Sequence, residues 1–345
     1  MVSISICMIV KNEERVLARC LDSLQGIYDE LVIVDTGSTD STKEIAAHYT
    51  DKIYDFEWVF DFSAARNFAF SKATCDYIYS VDADEVLDDL NRDRFLVLKD
   101  KLLTEIDIVQ MKYGNQLHHG TVYNFNEELR PKLFKRLRPF VWEEPVHEQV
   151  RLSPVIFDSD IVITHMPENN HSGRDLAIFG RQIEEGHVLS KRLFDMFARE
   201  MYLCGEGEEF RRYTAYFEAA VADTSRSADE VKEACVISAK AARLDGDVVR
   251  FFKYATKLMV DDPGSEICIE MGRIYEDKGD LEEAAIWYYN AGFETLPLMC
   301  VKAANEEAAA GLVSVYKKMG VPEAADSFVA DIEARIRSMN PEGDL

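Results

Sequence analysis

No stretch of the 345-residue sequence approaches the roughly 20 consecutive apolar residues that a membrane helix needs. The first residues, MVSISICMIVKNEER, have no basic region before the apolar run and no small-residue cleavage site after it. They therefore predict neither a signal peptide nor an anchor. Basic residues are also scarce, with 39 Lys and Arg against 63 Asp and Glu and a formal net charge of −24. Such a chain repels nucleic acid and anionic membrane surfaces at long range, so a polyanionic partner requires a local basic pocket. None of the seven cysteines (7, 20, 75, 204, 235, 268 and 300) stands in a Cys-x-x-Cys pair, which reads as reduced thiols in a cytoplasmic protein. Glycine is missing from MIVKNEERV, where a glycine-rich phosphate loop would follow a first strand.

Apolar residues are plentiful at 47%, enough for about two domains with real cores. The first half alternates strand-like and helix-like segments. SISICMIV and LVIV read as strands, and EERVLARCLDSL places Val16, Leu17, Cys20, Leu21 and Leu24 on one helical face. KIYDF and YIYSV flank a helix in SAARNFAFSKA, and Ser41 with Glu44 reads as a capping box. This alternation predicts an α/β fold with a mostly parallel three-layer sheet, continued by strand-rich sequence from about 106 to 165.

Beyond Gly173 amphipathic helices take over, which puts the domains at 1–172 and 173–345. Gly272, Tyr275, Ala284, Tyr288 and Ala291 resemble the tetratricopeptide pattern of small and aromatic residues, with an echo at Tyr316, Gly320 and Ala325. Segments 208–222 and 229–258 also read as helices. Three or four irregular helical hairpins are expected.

In an open α/β sheet the ligand crevice lies beyond the carboxyl ends of the strands. Three such ends carry polar clusters: Lys11-Asn12-Glu13, Asp35 to Asp40, and Asp82-Ala83-Asp84-Glu85. Two carboxylates on one face of an extended segment, as Asp82 and Asp84 would be, repel unless a cation sits between them. Hard oxygen ligands of this kind suit Mg²⁺ or Mn²⁺ and leave positions open for a diphosphate.

The runs VIVDTGSTDSTKEIA, FDFSAARNFAFSKA with Arg66-Asn67, and YIYSVDADE, in that order, resemble the family 2 glycosyltransferases of the GT-A fold. The resemblance covers residues 3 to 90 closely and continues more loosely to about 166. It implies that Asp35 binds the base or ribose of a nucleotide-diphosphate sugar and that Lys11, Asn12 and Glu13 line the same pocket. Arg66 approaches the donor diphosphate, Asp82 reaches the ribose or the ion, and Asp84 is the metal ligand proper. His165, ending IVITH, is a further metal ligand by the same resemblance.

RPFVWEEPVHEQV resembles the acceptor-side segment of the family. It departs from the Glu-Asp pair that often supplies the base, which leaves Glu143, Glu144, His147 and Glu148 as candidates, Glu148 first and Glu144 behind it. Trp142 is expected as a platform for a sugar ring.

The leading expectation is a metal-dependent inverting glycosyltransferase, using a UDP-sugar before other nucleotides. Its acceptor is a protein or peptide held by the helical half, with a glycan or lipid precursor as the second acceptor class. The helices could equally cover the sheet or build a homodimer. A nucleotidyl- or phosphotransferase is disfavoured by the missing phosphate loop. The alternative of another class is an interaction protein with a degenerate transferase domain, against which the intact Asp35, Asp82 and Asp84 count.

Overall fold

Strand β1 (Ile4–Val10) sends Ile4, Ile6, Met8 and Val10 into one apolar core and Cys7 into another, because successive side chains of a strand point to opposite faces. Strand β2 (Glu30–Asp35) divides Leu31 and Ile33 from Val32 and Val34 in the same way, and β4 (Tyr77–Ser80) divides Tyr77 and Tyr79 from Ile78. Strands apolar on both faces must be covered on both. Helices α1 (Leu17–Ser23), α2 (Thr42–Ala46) and α4 (Asp89–Lys101) supply the first core, and α3 (Phe62–Lys72) supplies Ala69 to the second. This computed structural model describes residues 1–114, 128–137, 142–147, 149–150, 154–166, 172–260 and 263–339.

The sheet runs β3 (Ile53–Asp55), β2, β1, β4, β7 (Glu128–Lys135), β6 (Ile108–Gly114), β10 (Ile156–His165), β5 (Glu85–Val86). Neighbours are parallel except that β7 opposes β4 and β6, and β5 opposes β10. This is the mostly parallel α/β sheet expected from the alternation. The carboxyl ends of β1, β2, β4, β6 and β10 therefore share one edge, and β7 starts among them. A separate ribbon pairs β8 (Trp142–Glu143) with β9 (Gln149–Val150).

The expected capping box does not form. Ser41 makes no side-chain cap bond. Instead the backbone N–H of Ser41 donates to Glu14, and the N–H and hydroxyl of Thr42 both donate to Asp40. Glu14 has taken the Ser41 N–H that Glu44 was expected to satisfy.

Glu30 anchors the opposite edge of the sheet. Buried at the start of β2, it accepts from Ser5 Oγ, Lys52 Nζ and both the N–H and hydroxyl of Thr74. Burial pushes its carboxyl up, but Lys52, Ser5 and Thr74 outweigh it and bring it from the ordinary 4.5 to about 2. A depressed folded-state value means that the carboxylate's stabilisation is complete above about pH 4.5 and is lost as the pH falls toward about 2. The stability advantage of the wild type over Glu30→Gln, measured from denaturant midpoints, is expected to shrink steadily across that window. A constant difference would contradict it.

The chain divides into two compact units, residues 1–171 and 172–345. The second contains α5 (Ser172–Glu184), α6 (Lys191–Cys204), α7 (Gly207–Ala222), α8 (Ala228–Leu244), α9 (Val248–Leu258), α10 (Ser265–Asp277), α11 (Leu281–Tyr289), α12 (Ala308–Lys318) and α13 (Asp326–Met339). The segment expected as helix over 229–258 is two helices, broken at Asp245-Gly246-Asp247, where Gly246 takes φ +74° and Asp247 caps α9. The ring of Tyr288 lies so close to α10 and α12 that a Cβ on Gly272 or Gly311 would come within 2.7 or 2.4 Å of it. That contact is the physical content of the tetratricopeptide-like pattern.

Residues 290–294 and 303–307 form π turns, and the Arg335 guanidinium donates to Gly292 O, Ala304 O and Asn305 Oδ1 across them. Some of the acidic residues of this half are interior. Glu270 is fully buried between Arg243 and Arg273, and Glu266 accepts the N–H groups of Leu298, Met299 and Cys300. Among the described residues no helix is long and apolar enough to cross a membrane. All seven cysteines are free.

Candidate functional site

The loops after β1 and β2 are zipped together by short polar side chains. Asn12, in the left-handed region at φ 56°, donates its N–H to the Ser38 hydroxyl at 3.0 Å and accepts from Thr39 N at 2.8 Å. Glu13 N donates to Thr42 Oγ1 at 2.7 Å. A left-handed residue is best tolerated as Asn, Asp or Gly, and Asn12 meets that need while its amide holds the partner loop. Lys11 is exposed beside it.

Asp35 ends β2 at 2% exposure. Its Oδ1 accepts from Gly37 N and Ser38 N, both at 3.0 Å, while Oδ2 is buried with no hydrogen-bond partner. An unpaired buried carboxylate oxygen is costly, and it faces the edge on which a ligand donor could satisfy it.

Asp82 and Asp84 follow β4 in a turn, closed by Glu85 N donating to Asp82 O at 3.1 Å. The two acids stand in a turn rather than on an extended segment. Asp82 is paired with Arg66 at 2.9 Å and lies 3.9 Å from Lys132. Burial pushes its carboxyl up, but Arg66 and Lys132 outweigh it and hold the group well below the usual carboxylate range. Arg66 also donates to Ser80 Oγ at 2.9 Å. Asp82 is thus neutralised by cations of α3 and β7.

Lys132, at 7% exposure, also bonds the Glu85 carboxylate, which is 2% exposed. Burial pushes Glu85 up to about 7 against the pull of Lys132. Sequence reading missed Lys132. The signal available was a lysine inside the apolar strand PKLFK, where an unpaired charge would not be tolerated.

The pairing of β5 with β10 sets His165 opposite Glu85 and so beside Asp84. His165 Nε2 lies 3.1 Å from Asp84 Oδ2. Met166 N donates to Asp84 O at 2.9 Å, and Arg19 donates to Met166 O at 2.8 Å. Two donor atoms at right angles around an ion with bonds of about 2.1 Å stand roughly 3 Å apart, so this pair fits a divalent cation that accepts a carboxylate and an imidazole. Tyr113 packs on His165 with 5.3 Å between ring centroids, and the Arg130 guanidinium lies 4.0 Å from the centroid of the Tyr113 ring.

Trp142 is corrected. Expected as an open platform for a sugar, it is 8% exposed and packed edge-on against Phe70 and Phe134, with the Arg66 guanidinium 5.2 Å from its ring centroid. Its backbone is held by Asn67, which donates to Trp142 O at 3.0 Å and accepts from Trp142 N at 2.9 Å. Among the base candidates, Glu143 lies in β8, and Glu144 and His147 adopt left-handed backbone at φ 71° and 49°. Glu148 lies outside the described residues.

Residues 5–150 match the family model described as Glycosyl transferase family 2. A TPR repeat-containing protein of Synechococcus elongatus is 48% identical over 87 residues, 25% of this chain and 22% of that protein. The SPbeta prophage-derived glycosyltransferase SunS of Bacillus subtilis is 28% identical over 213 residues, 59% of this chain and 50% of that protein. The solved structure of glucosyl-3-phosphoglycerate synthase from Mycobacterium tuberculosis with Mn²⁺ and uridine-diphosphate-glucose is similar at a TM-score of 0.38 and 14% identity, covering 55% of this chain and 81% of that one. The chain spans half or less of the length of these two curated relatives.

Proposed function

We propose, on the premise that residues 5–150 form a family 2 glycosyltransferase domain, that the protein moves a sugar from a nucleotide-diphosphate donor, UDP-linked first, to a protein or peptide acceptor with inversion. The observation that carries this reading is the edge where β1, β2, β4 and β10 end. It joins a buried carboxylate with one free oxygen, a cationic pair at Arg66 and Lys132, and the Asp84–His165 pair.

Asp35 Oδ2 accepts from the base or ribose, beside Lys11, Asn12 and Glu13. A chain of net charge −24 needs local positive charge to admit a diphosphate; Arg66, Lys132 and Arg130 are the cations at this edge, each already paired with a carboxylate (Asp82, Glu85 and Glu128), so the balance would be tipped by a bound divalent ion. Asp84 and His165, with Asp82 beside them, would hold Mn²⁺ or Mg²⁺, which would supply charge neutralisation at the leaving diphosphate. A group of the 142–148 segment, Glu148 first and Glu144 or His147 after it, takes the acceptor proton as the nucleophile attacks the anomeric carbon. A single displacement of this kind inverts the centre.

The acceptor reading rests on the helical unit, whose paired helices are of the kind that stack into peptide-holding surfaces. The test is a thermal-shift panel of UDP, GDP, dTDP and CDP sugars, each with Mn²⁺ and with EDTA. Binding to the folded state alone raises the melting temperature, so one nucleotide class should give a shift that EDTA removes. No shift for any donor with metal present would overturn the reading.

A further inference from the structure

We infer that Asn67 is a positioning residue whose carboxamide docks the backbone of Trp142 onto α3 and thereby sets the 142–147 segment beside Arg66; the inference rests on the transfer reading above. Its two bonds, to the N–H and the C=O of a single residue, reproduce what a neighbouring strand gives a residue of an antiparallel ladder. Asn67 thus substitutes for a third strand on the free edge of β8.

The docking is reinforced on both sides. Phe62 N, at the start of α3, donates to Pro145 O at 2.9 Å, and the Trp142 ring is wedged between Phe70 and Phe134. Between these anchors lies Glu144, with His147 just beyond, and both hold left-handed backbone that non-glycine residues adopt only at a cost. The docking contacts are what can offset that cost. Without Asn67 the strained residues are released, and two of the candidate bases leave their positions.

The adjacent Arg66 lies against the Trp142 ring but gives hydrogen bonds to Ser80 and Asp82. Loss of the Asn67 amide therefore leaves the donor side in place while misplacing the acceptor side. Misplacement by about 1 Å can cost a hundredfold in rate.

The experiment compares wild type, Asn67→Ala and Asn67→Asp. UDP with Mn²⁺ probes donor binding, and UDP release from a panel of UDP-sugars measures turnover. The Ala variant should lose about ten- to a hundredfold in kcat with UDP affinity within about twofold, and the Asp variant, which keeps an oxygen for Trp142 N–H, should fall between. In a Trp58→Phe, Trp287→Phe background Trp142 is the sole tryptophan, and its emission should shift to the red in Asn67→Ala. Unchanged kcat with unchanged emission overturns the inference, as does an equal loss of kcat and UDP affinity accompanied by a lower melting temperature. If the wild type turns over no UDP-sugar and yet the emission shifts, the docking stands and the transfer reading fails.

Discussion

Asp84→Ala is expected to lower sugar transfer by about a thousandfold or more and to make UDP binding indifferent to Mn²⁺, while the fold is kept. Charge neutralisation by a divalent ion is worth several kcal/mol at the transition state, and each 1.4 kcal/mol is a factor of about ten. The fold should survive because what ties the 82–86 turn to β10 is Asp84's backbone carbonyl, accepting from Met166 N. Its side chain meets His165, and neither is buried so deeply that an uncompensated charge would remain. Turnover, calorimetric titration of UDP with and without Mn²⁺, and a melting curve decide the matter. Near-wild-type turnover in a folded variant would end the metal assignment.

Lys132→Met should act on stability instead. Lys132 is the partner of Glu85 beneath the turn and the second cation near Asp82. Removing one member of a buried ion pair strands the other and costs about 3–5 kcal/mol. For a unit of 171 residues that is a fall in melting temperature of roughly 10 °C. Combining it with Glu85→Leu should recover much of the loss, because a buried pair replaced whole by apolar groups is often near neutral. If the single variant melts with the wild type, Lys132 is dispensable to the turn. If the double variant melts lower still, the coupling between the two residues is absent.

The elements were legible wherever local pattern and final environment agree. The apolar runs SISICMIV and LVIV and the helical face of Val16, Leu17, Cys20, Leu21 and Leu24 are direct records of burial. The small residues around Tyr288 announced a close helix approach that Gly272 and Gly311 make. What failed was whatever depends on partners distant in the chain. The Ser41–Glu44 motif was right in spacing, but Glu14, from the loop after β1, reached the Ser41 amide first. Asp82 and Asp84 read as a repelling pair, whereas the cations beside Asp82, on α3 and β7, lie 16 and 50 residues from it by sequence number. Trp142 read as a binding surface because its composition of neighbours was polar, whereas the aromatic residues that enclose it come from α3 and β7.

Arg66 and Asn67 are consecutive, yet they address different things: one side chain recognises other side chains, the other recognises only main chain. Because the carboxamide of Asn67 bonds the amide and carbonyl of position 142, it is blind to the side chains further along the segment. The residues at 143, 144 and 147 can be exchanged without giving up the seat. A scaffold of this kind lets acceptor preference drift, or be redesigned, by substitutions in one short stretch while the donor half and its charges are left alone.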